Sequence, residues 1–371
     1  LLLGGLATLL GRSGRVPRLS EQALPAADLP TLTVIAPALN EARHVEAAAR
    51  ALLRQDYPGL EVVFVDDRST DATPAILARL AVEQPALRVV TVRELPAGWL
   101  GKNHADWVGA REARGELLLF TDADVVLAPG ALRRAVGYLL QRERDHLAIA
   151  PQVSMPGTLL PQFTLYFGLL FSAYARPWAA RDPGSRAHVG IGAFNLVRRK
   201  VYDAVGGHAA LRMRPDDDMR LGLLLKRSGA RQDFLNGIGA VQVEWYASWR
   251  ELRDGLMKNL FAGLDYRVAA TVGASLAQLA LFAGAPVMLL GGWGGAIATA
   301  LNTGSCLLLL ALGAGCARQF GTRPWAGALL PALALFGAWL MWRSMLLTLW
   351  RGGIEWRGTF SPLRELRRTI V

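Results

Sequence analysis

The sequence predicts an α/β fold: a mostly parallel sheet with helices on both faces, followed by apolar segments able to cross a membrane. Three observations carry this expectation. From Thr31 to Phe120, short apolar runs alternate with stretches of helical periodicity, the pattern of parallel strands buried on both faces. Those runs end in polar or acidic residues, Asn40-Glu41, Asp66-Asp67 and Asp122-Ala123-Asp124, and ligands of such sheets collect at strand carboxyl ends. From about Val268 to Trp350 the chain is nearly uncharged.

The elements follow in order. Leu1–Leu10 is apolar, precedes Arg12, Arg15 and Arg18, and starts without methionine. It reads as the end of an N-terminal transmembrane helix whose beginning lies upstream, with the arginines on the cytoplasmic side. Pro17, Pro25 and Pro30 mark a linker over 11–30. Leu32–Ala36 is the first strand and Glu41–Arg54 a helix. Glu61–Val65 is the second strand. Ser69-Thr70-Asp71 caps a helix running to Glu83, with Pro74 in its first turn. Leu87–Val92 is the third strand, Lys102–Arg114 a helix and Glu116–Phe120 the fourth strand. The expected domains are a catalytic domain over 31–267, a membrane region of two to three segments over 268–350, and a basic tail over 351–371.

Leu159–Trp178 turns apolar and aromatic between Pro161 and Pro177. Two readings stand: a core helix, or a helix in the membrane interface rimmed by Arg176 and Arg181. Val272–Leu290, Ala296–Ala314 and Ala326–Trp350 are each long enough to span. Three crossings from a cytoplasmic catalytic half would put the arginine-rich tail outside, against the positive-inside tendency. One segment being re-entrant or interfacial would resolve this. The expected location is the inner (plasma) membrane, multi-pass, with the catalytic domain in the cytoplasm.

The chain of 371 residues is 52% hydrophobic and carries a net charge of +11. Such a charge suits nucleic acid or anionic lipid. No basic patch is interleaved with aromatics in the polar half, so a nucleic-acid partner is excluded in favour of membrane lipid. Cys306 and Cys316 both lie in the apolar part and support neither a disulfide framework nor a zinc site.

In a strand, positions i and i+2 point to the same side. Asp122 and Asp124, just past an apolar run, therefore share one target. Two carboxylates held together repel unless a cation lies between them. Their hard oxygens suit Mg2+ or Mn2+, ions that also bind substrate phosphates. The competing reading is an acidic turn.

Four stretches combine. They are Val34-Ile35-Ala36-Pro37-Ala38-Leu39-Asn40-Glu41, Val63-Phe64-Val65-Asp66-Asp67-Arg68-Ser69-Thr70-Asp71, Asp122-Ala123-Asp124, and Asp216-Asp217-Asp218-Met219-Arg220-Leu221-Gly222. In that order they resemble the family 2 glycosyltransferases of the GT-A fold, over Thr31 to Phe261. Glu355-Trp356-Arg357-Gly358-Thr359-Phe360 is similar to an ending of membrane-bound members. Within the family the chain looks closest to hopanoid-associated and ceramide-glucosyltransferase-like enzymes.

The resemblance implies a membrane-bound inverting transferase moving a sugar from a nucleotide-diphosphate-sugar to a lipid hydroxyl, assisted by Mg2+ or Mn2+. Pro37, Ala38, Leu39 and Glu41 would line the nucleotide. Asp66 or Asp67 would accept from a base N–H or ribose hydroxyl. Lys102 would meet the diphosphate, or be a solvated lysine at a helix start. Asp124 with Asp122 would hold the metal. Gly190 and Gly192, in His188-Val189-Gly190-Ile191-Gly192-Ala193-Phe194-Asn195, would let backbone approach the sugar, or form a buried turn. The acidic-Asp-x-x-Leu-Gly pattern makes Asp218 the general base, beside Asp217, with Asp216 leaving the register open by one residue. Backbone N–H groups at the helix start would keep Asp218 ionised. His104 reads as a surface or packing residue, and Gly206-Gly207-His208 as a turn. A Gln-x-x-Arg-Trp motif is missing near Trp249 and Arg250, which argues against a processive polysaccharide synthase. The other alternative is a non-catalytic membrane scaffold retaining the fold.

Overall fold

The structure is a computed structural model that describes residues 11, 16–25 and 28–368. Leu1–Leu10, read as the end of a membrane helix, lies outside the described residues, as do Arg12 and Arg15. In chain order the strands are β1 (Leu32–Ala38), β2 (Leu60–Asp67), β3 (Leu87–Val92), β4 (Leu117–Phe120), β5 (Val126–Leu127), β6 (His146–Ala150), β7 (Gln152–Ser154), β8 (Asn195–Arg198), β9 (Gln232–Asn236), β10 (Val241–Glu244), β11 (Gly353–Trp356) and β12 (Thr359–Pro362). The helices are α1 (Val45–Leu53), α2 (Thr73–Glu83), α3 (Gly101–Glu112), α4 (Ala131–Gln141), α5 (Phe163–Ala175), α6 (Arg199–Ala204), α7 (Asp217–Arg227), α8 (Trp249–Ala262), α9 (Val268–Phe282), α10 (Gly284–Leu290), α11 (Gly295–Phe320), α12 (Leu330–Arg351) and α13 (Leu363–Arg368).

The chain divides into two units. The first gathers Val16–Gln152 and Pro177–Glu244. Its seven-stranded sheet has the order β3-β2-β1-β4-β8-β6-β9. β1, β2, β3 and β4 run parallel, and β8 alone is antiparallel to its neighbours β4 and β6. Leu32, Val34, Ile35, Val62, Val63, Phe64, Leu118 and Leu119 are fully buried, which explains why these strands read as continuous apolar runs. β1 pairs with β2 on one side and β4 on the other, so the strand order reverses there. Register aligns Ala38 with Asp66 and Ile35 with Phe120. The ends of β1, β2 and β4 therefore open on one edge, where such sheets hold ligands.

The first helix begins later than expected, at Val45 rather than Glu41. Asn40 has a left-handed φ of 56°. The Glu41 and Ala42 N–H groups donate to Thr73 Oγ1 (2.8 Å) and Asp71 Oδ2 (3.0 Å). Those N–H groups are tied to the neighbouring loop, so the helix starts only where the chain is released from it.

The second unit gathers Val153–Arg176 with the chain from Trp245 onward. α5 buries Phe163, Leu165, Tyr166 and Leu169 in one apolar cluster with Leu330, Leu333 and Ala334 of α12. Leu159–Trp178 thus packs within this unit, as its core-helix reading expects. α11 and α12 belong to segments, Gly295–Ala317 and Pro324–Arg351, that are long and apolar enough to cross a membrane. α9 and α10 make a third only if counted as one span, because they are bent by 57° at Ala283. Polar residues of α9 turn inward. Thr271, Ser275 and Gln278 are buried, and Trp342 Nε1 donates to Ser275 Oγ (2.8 Å). Residues 353–368, expected as a plain basic tail, form a hairpin of β11 and β12 followed by α13. Arg357 and Gly358 supply its turn at φ 48° and 77°, the conformation that two-residue hairpin turns require.

Candidate active site

The loops after β1 and β2 are laced together by side chains. Asn40 Oδ1 accepts from the backbone N–H of Thr70 (2.8 Å) and Asp71 (3.3 Å). Asp71 accepts from Thr73 N–H (2.9 Å) at the start of α2, the capping role expected of it. Pro37 and Ala38 close β1, while Leu39 and Glu41 stand half-buried in the loop beyond. Asp66 and Asp67 end β2, almost fully buried. Asp66 Oδ1 accepts from Ser69 N–H (3.3 Å). Both oxygens of Asp67 are taken by the Arg68 guanidinium, at 2.8 and 2.9 Å. His104 is a packing residue, set edge-on to Trp99 with centroids 5.3 Å apart. Burial pushes its pKa down.

Past β4 lies the acidic pair. Asp122 Oδ1 accepts from Lys102 Nζ at 2.7 Å. Lys102 stands on the first turn of α3 and also faces Asp217 Oδ2 at 3.8 Å. Burial works against its charge, but Asp122, Asp217, Asp106 and Asp218 outweigh that and hold its pKa well above the ordinary lysine value. Lys102 is thus half-buried and paired with carboxylates. Asp124 differs from Asp122. Its Oδ1 is buried with no hydrogen-bond partner. Burial first, then the charges of Asp122 and Glu41, push its carboxyl up to about 7.

The third wall is the start of α7. The three acids of the triplet differ in their bonding. Asp216 accepts from Arg214 Nε and Nη2 (2.8 Å each) and from Arg220 Nε (2.8 Å), turning it into an ion-pair cluster. Arg214 is fully buried there. Asp217 and Asp218 face the crevice instead. Asp218 Oδ2 accepts from Gly192 N–H (2.8 Å) and Oδ1 from Met219 N–H (2.7 Å). These are the backbone bonds expected to keep it ionised. They do not win: burial, then Asp217, push Asp218 up to about 7 against Lys102 and the Met219 N–H.

The glycine loop and α7 fit backbone to backbone. A Cβ on Gly190 would lie 1.8 Å from the Asp218 carbonyl oxygen, and one on Gly222 2.1 Å from that of Val189. Side chains there would drive the two segments apart. Gly192 serves a different purpose, since a Cβ would stand 2.9 Å from Asp122 Oδ2 and 3.2 Å from Lys102 Nζ. A continuous path of contacts thus joins Lys102, Asp122, Gly192, Asp218 and Gly190.

Two residues of this centre were missed in the sequence. Asp106 lies four residues after Lys102 on α3 and is 1% exposed. His208, read only as part of a turn, is also 1% exposed. His208 Nε2 faces Asp106 Oδ2 at 3.8 Å, while Nδ1 pairs with Tyr202 Oη at 2.9 Å. Burial pushes His208 down to about 3 and Asp106 well above the carboxylate range. Ligand atoms of Asp106, His208 and Asp217 lie within 4.8 Å of one another. The Lys102 ammonium already supplies positive charge to this group. The i, i+4 spacing of Lys102 and Asp106 was the available signal.

Residues 33–206 match the model of the glycosyl transferase family 2 domain. The chain is 27% identical over 235 residues to a 4,4'-diaponeurosporenoate glycosyltransferase of Staphylococcus aureus strain USA300, covering 62% of this chain and 61% of that one. The counterpart in strain bovine RF122 is 27% identical over 236 residues, with 63% and 61% covered. The chain thus spans about three fifths of the length of these curated relatives. Among solved structures, a mannosyltransferase from Pyrobaculum calidifontis in complex with GDP-Man and Mn2+ superposes with a TM-score of 0.56 at 21% identity. The match covers 95% of this chain and 99% of that one. That likeness shows the fold to be GT-A, and residues 33–206 are similar to the glycosyl transferase family 2 domain.

Proposed function

We propose that the chain transfers a sugar from a nucleoside-diphosphate donor to a lipid hydroxyl, with inversion at the anomeric carbon. One observation carries the reading. The Gly192 N–H holds Asp218, while the bare α-carbon of the same glycine faces Asp122 and Lys102. A proton acceptor and the groups suited to a diphosphate therefore meet across one residue. In the reaction Asp218 takes the acceptor hydroxyl's proton as that oxygen attacks the anomeric carbon. The bond to the diphosphate oxygen breaks, and the leaving group departs with its electron pair toward Lys102. One base and one displacement give inversion. Pro37, Ala38, Leu39, Glu41, Asp66 and Asp67 stand at the β1 and β2 ends, where the nucleoside would lie. Asp67 approaches it already paired with Arg68.

The acidic pair fits a divalent ion. Asp124 offers a buried oxygen without a partner, its carboxyl raised by burial and by its carboxylate neighbours, and both residues are hard oxygen donors. Such an ion, Mg2+ or Mn2+, would be held by Asp124 and Asp122 and would neutralise charge on the leaving diphosphate. A lipid acceptor and an inner-membrane setting are supported by the apolar helices of the second unit. We place the catalytic part, residues 31–267, in the cytoplasm and the anchor in residues 268–350.

The test uses detergent-purified full chain with a panel of UDP- and GDP-sugars, Mn2+ and extracted membrane lipid. Formation of a glycolipid with the opposite anomeric configuration to the donor is the expected result. Retention of configuration, or no turnover with any donor, overturns the proposal.

A further inference from the structure

We propose that Lys102 is an internal counter-ion, holding Asp122 until a diphosphate and its cation arrive and then exchanging Asp122 for the diphosphate. The inference rests on the reading of Asp122 and Asp124 as metal ligands. Lys102 Nζ lies 2.7 Å from Asp122 Oδ1, so the ammonium already occupies one oxygen of that carboxylate. The pair is open, with side chains 31% and 41% exposed, and Gly192 leaves the space beside both groups clear. Behind Lys102 the surroundings are closed: Asp217 is 8% exposed at 3.8 Å, and Asp106 is buried one helical turn along.

The ammonium hydrogen-bonds to Asp122, whereas Asp124 Oδ1 keeps no partner. A divalent ion at Asp122 and Asp124 repels the ammonium from its present place. The buried carboxylates keep Lys102 nearby, and the open side is where a diphosphate offers it new oxygens. Metal alone must therefore displace Lys102 without compensation, whereas metal with diphosphate gives it a new partner. One substitution should then have opposite effects on two affinities. A merely structural lysine would move both the same way.

The experiment titrates Mn2+ into the detergent-purified full chain and follows free Mn2+ by electron paramagnetic resonance, with and without inorganic diphosphate. Lys102→Met should bind Mn2+ alone at least about tenfold tighter than wild type, because a cationic competitor is gone. It should bind Mn2+ with diphosphate at least about tenfold more weakly, because a charge-assisted contact is lost. Lys102→Arg, which keeps the charge, should stay near wild type in the first titration. Thermal melts cover the case in which Lys102→Met folds poorly: Mn2+ should raise its melting point more than that of wild type. If Lys102→Met binds Mn2+ alone no tighter, or gains no more from it in the melt, the exchange is overturned. Asp124→Asn separates the two ideas. Should it bind Mn2+ like wild type, the acidic pair is not the metal site and both fall. Should it lose Mn2+ while Lys102→Met shows no gain, only the exchange falls.

Discussion

Three successive aspartates carry three different fates. Asp218 touches the glycine loop, Asp217 faces Lys102, and Asp216 lies between two arginines. Asp218→Asn keeps the shape but cannot take a proton, so transfer should fall by ~10²–10⁴-fold while donor binding survives. Initial rates and nucleotide titrations on the same preparation check this. The pH profile adds an independent reading. With its carboxyl pushed up to about 7 and influenced by Asp217, Asp218 is a base only once deprotonated. kcat/KM should climb tenfold per unit below that pH and level off above it. The sign for stability is opposite. The folded chain keeps a proton that an unfolded aspartate releases near pH ~4, so metal-free stability should fall as pH rises from there to about 7. Denaturant melts at the two ends of that window test it. Asp216→Asn acts elsewhere, weakening the counter-charge of buried Arg214. It should cost about 3 kcal/mol or more of stability, visible as a lowered denaturant midpoint. Apart from Asp106, the acidic residues of the centre were legible because each follows a strand or opens a helix. The role of Asp216 was not, because nothing in the triplet itself shows which carboxylate Arg214 and Arg220 will claim. His208 stayed hidden for a related reason: the turn was legible from Gly206-Gly207, but its burial against Phe120 and Tyr202 comes from tertiary packing.

Among the elements, α7 and the glycine loop form the most demanding contact. Gly222 lies on the far turn of the helix start, its α-carbon against the Val189 carbonyl. Gly222→Ala should force the two segments apart, at about 1–3 kcal/mol for overpacking. It should also slow transfer, since Gly192 holds Asp218 from the same loop. Gly229→Ala is the comparison for space: a Cβ there meets nothing within 4 Å, though its φ of 86° still strains the backbone. It should destabilise without touching the Asp218 pH limb. β1 to β4 were legible from their apolar runs, and α2 and α3 from their helical periodicity. The start of α1 was not, because Glu41 and Ala42 hydrogen-bond to residues thirty positions away rather than to their own helix. The same limit applied to α5, whose aromatic composition suits a bundle core and a membrane interface equally.

For the whole molecule, carbonate-washed membranes should retain the chain through residues 268–350, and its recovery in the soluble fraction without detergent would count against an anchor there. The sequence alone left a conflict between three apolar segments and an arginine-rich end. The contacts of the hairpin after α12 support a resolution through parity. Lys258, before α9, lies over the ring of Trp356, beyond α12, at 4.6 Å. Arg367 Nη2 donates to the carbonyl of Tyr266 at 3.0 Å. The chain thus leaves its helical unit at the end where it entered, and a path that returns to its starting face crosses an even number of times. We propose that α11 and α12 make two crossings, which would satisfy this, with α9 and α10, bent by 57°, dipping in and coming back. Single cysteines placed at Arg250 and Arg364 should then react with a membrane-impermeant thiol reagent from the same side, in sealed vesicles of either orientation.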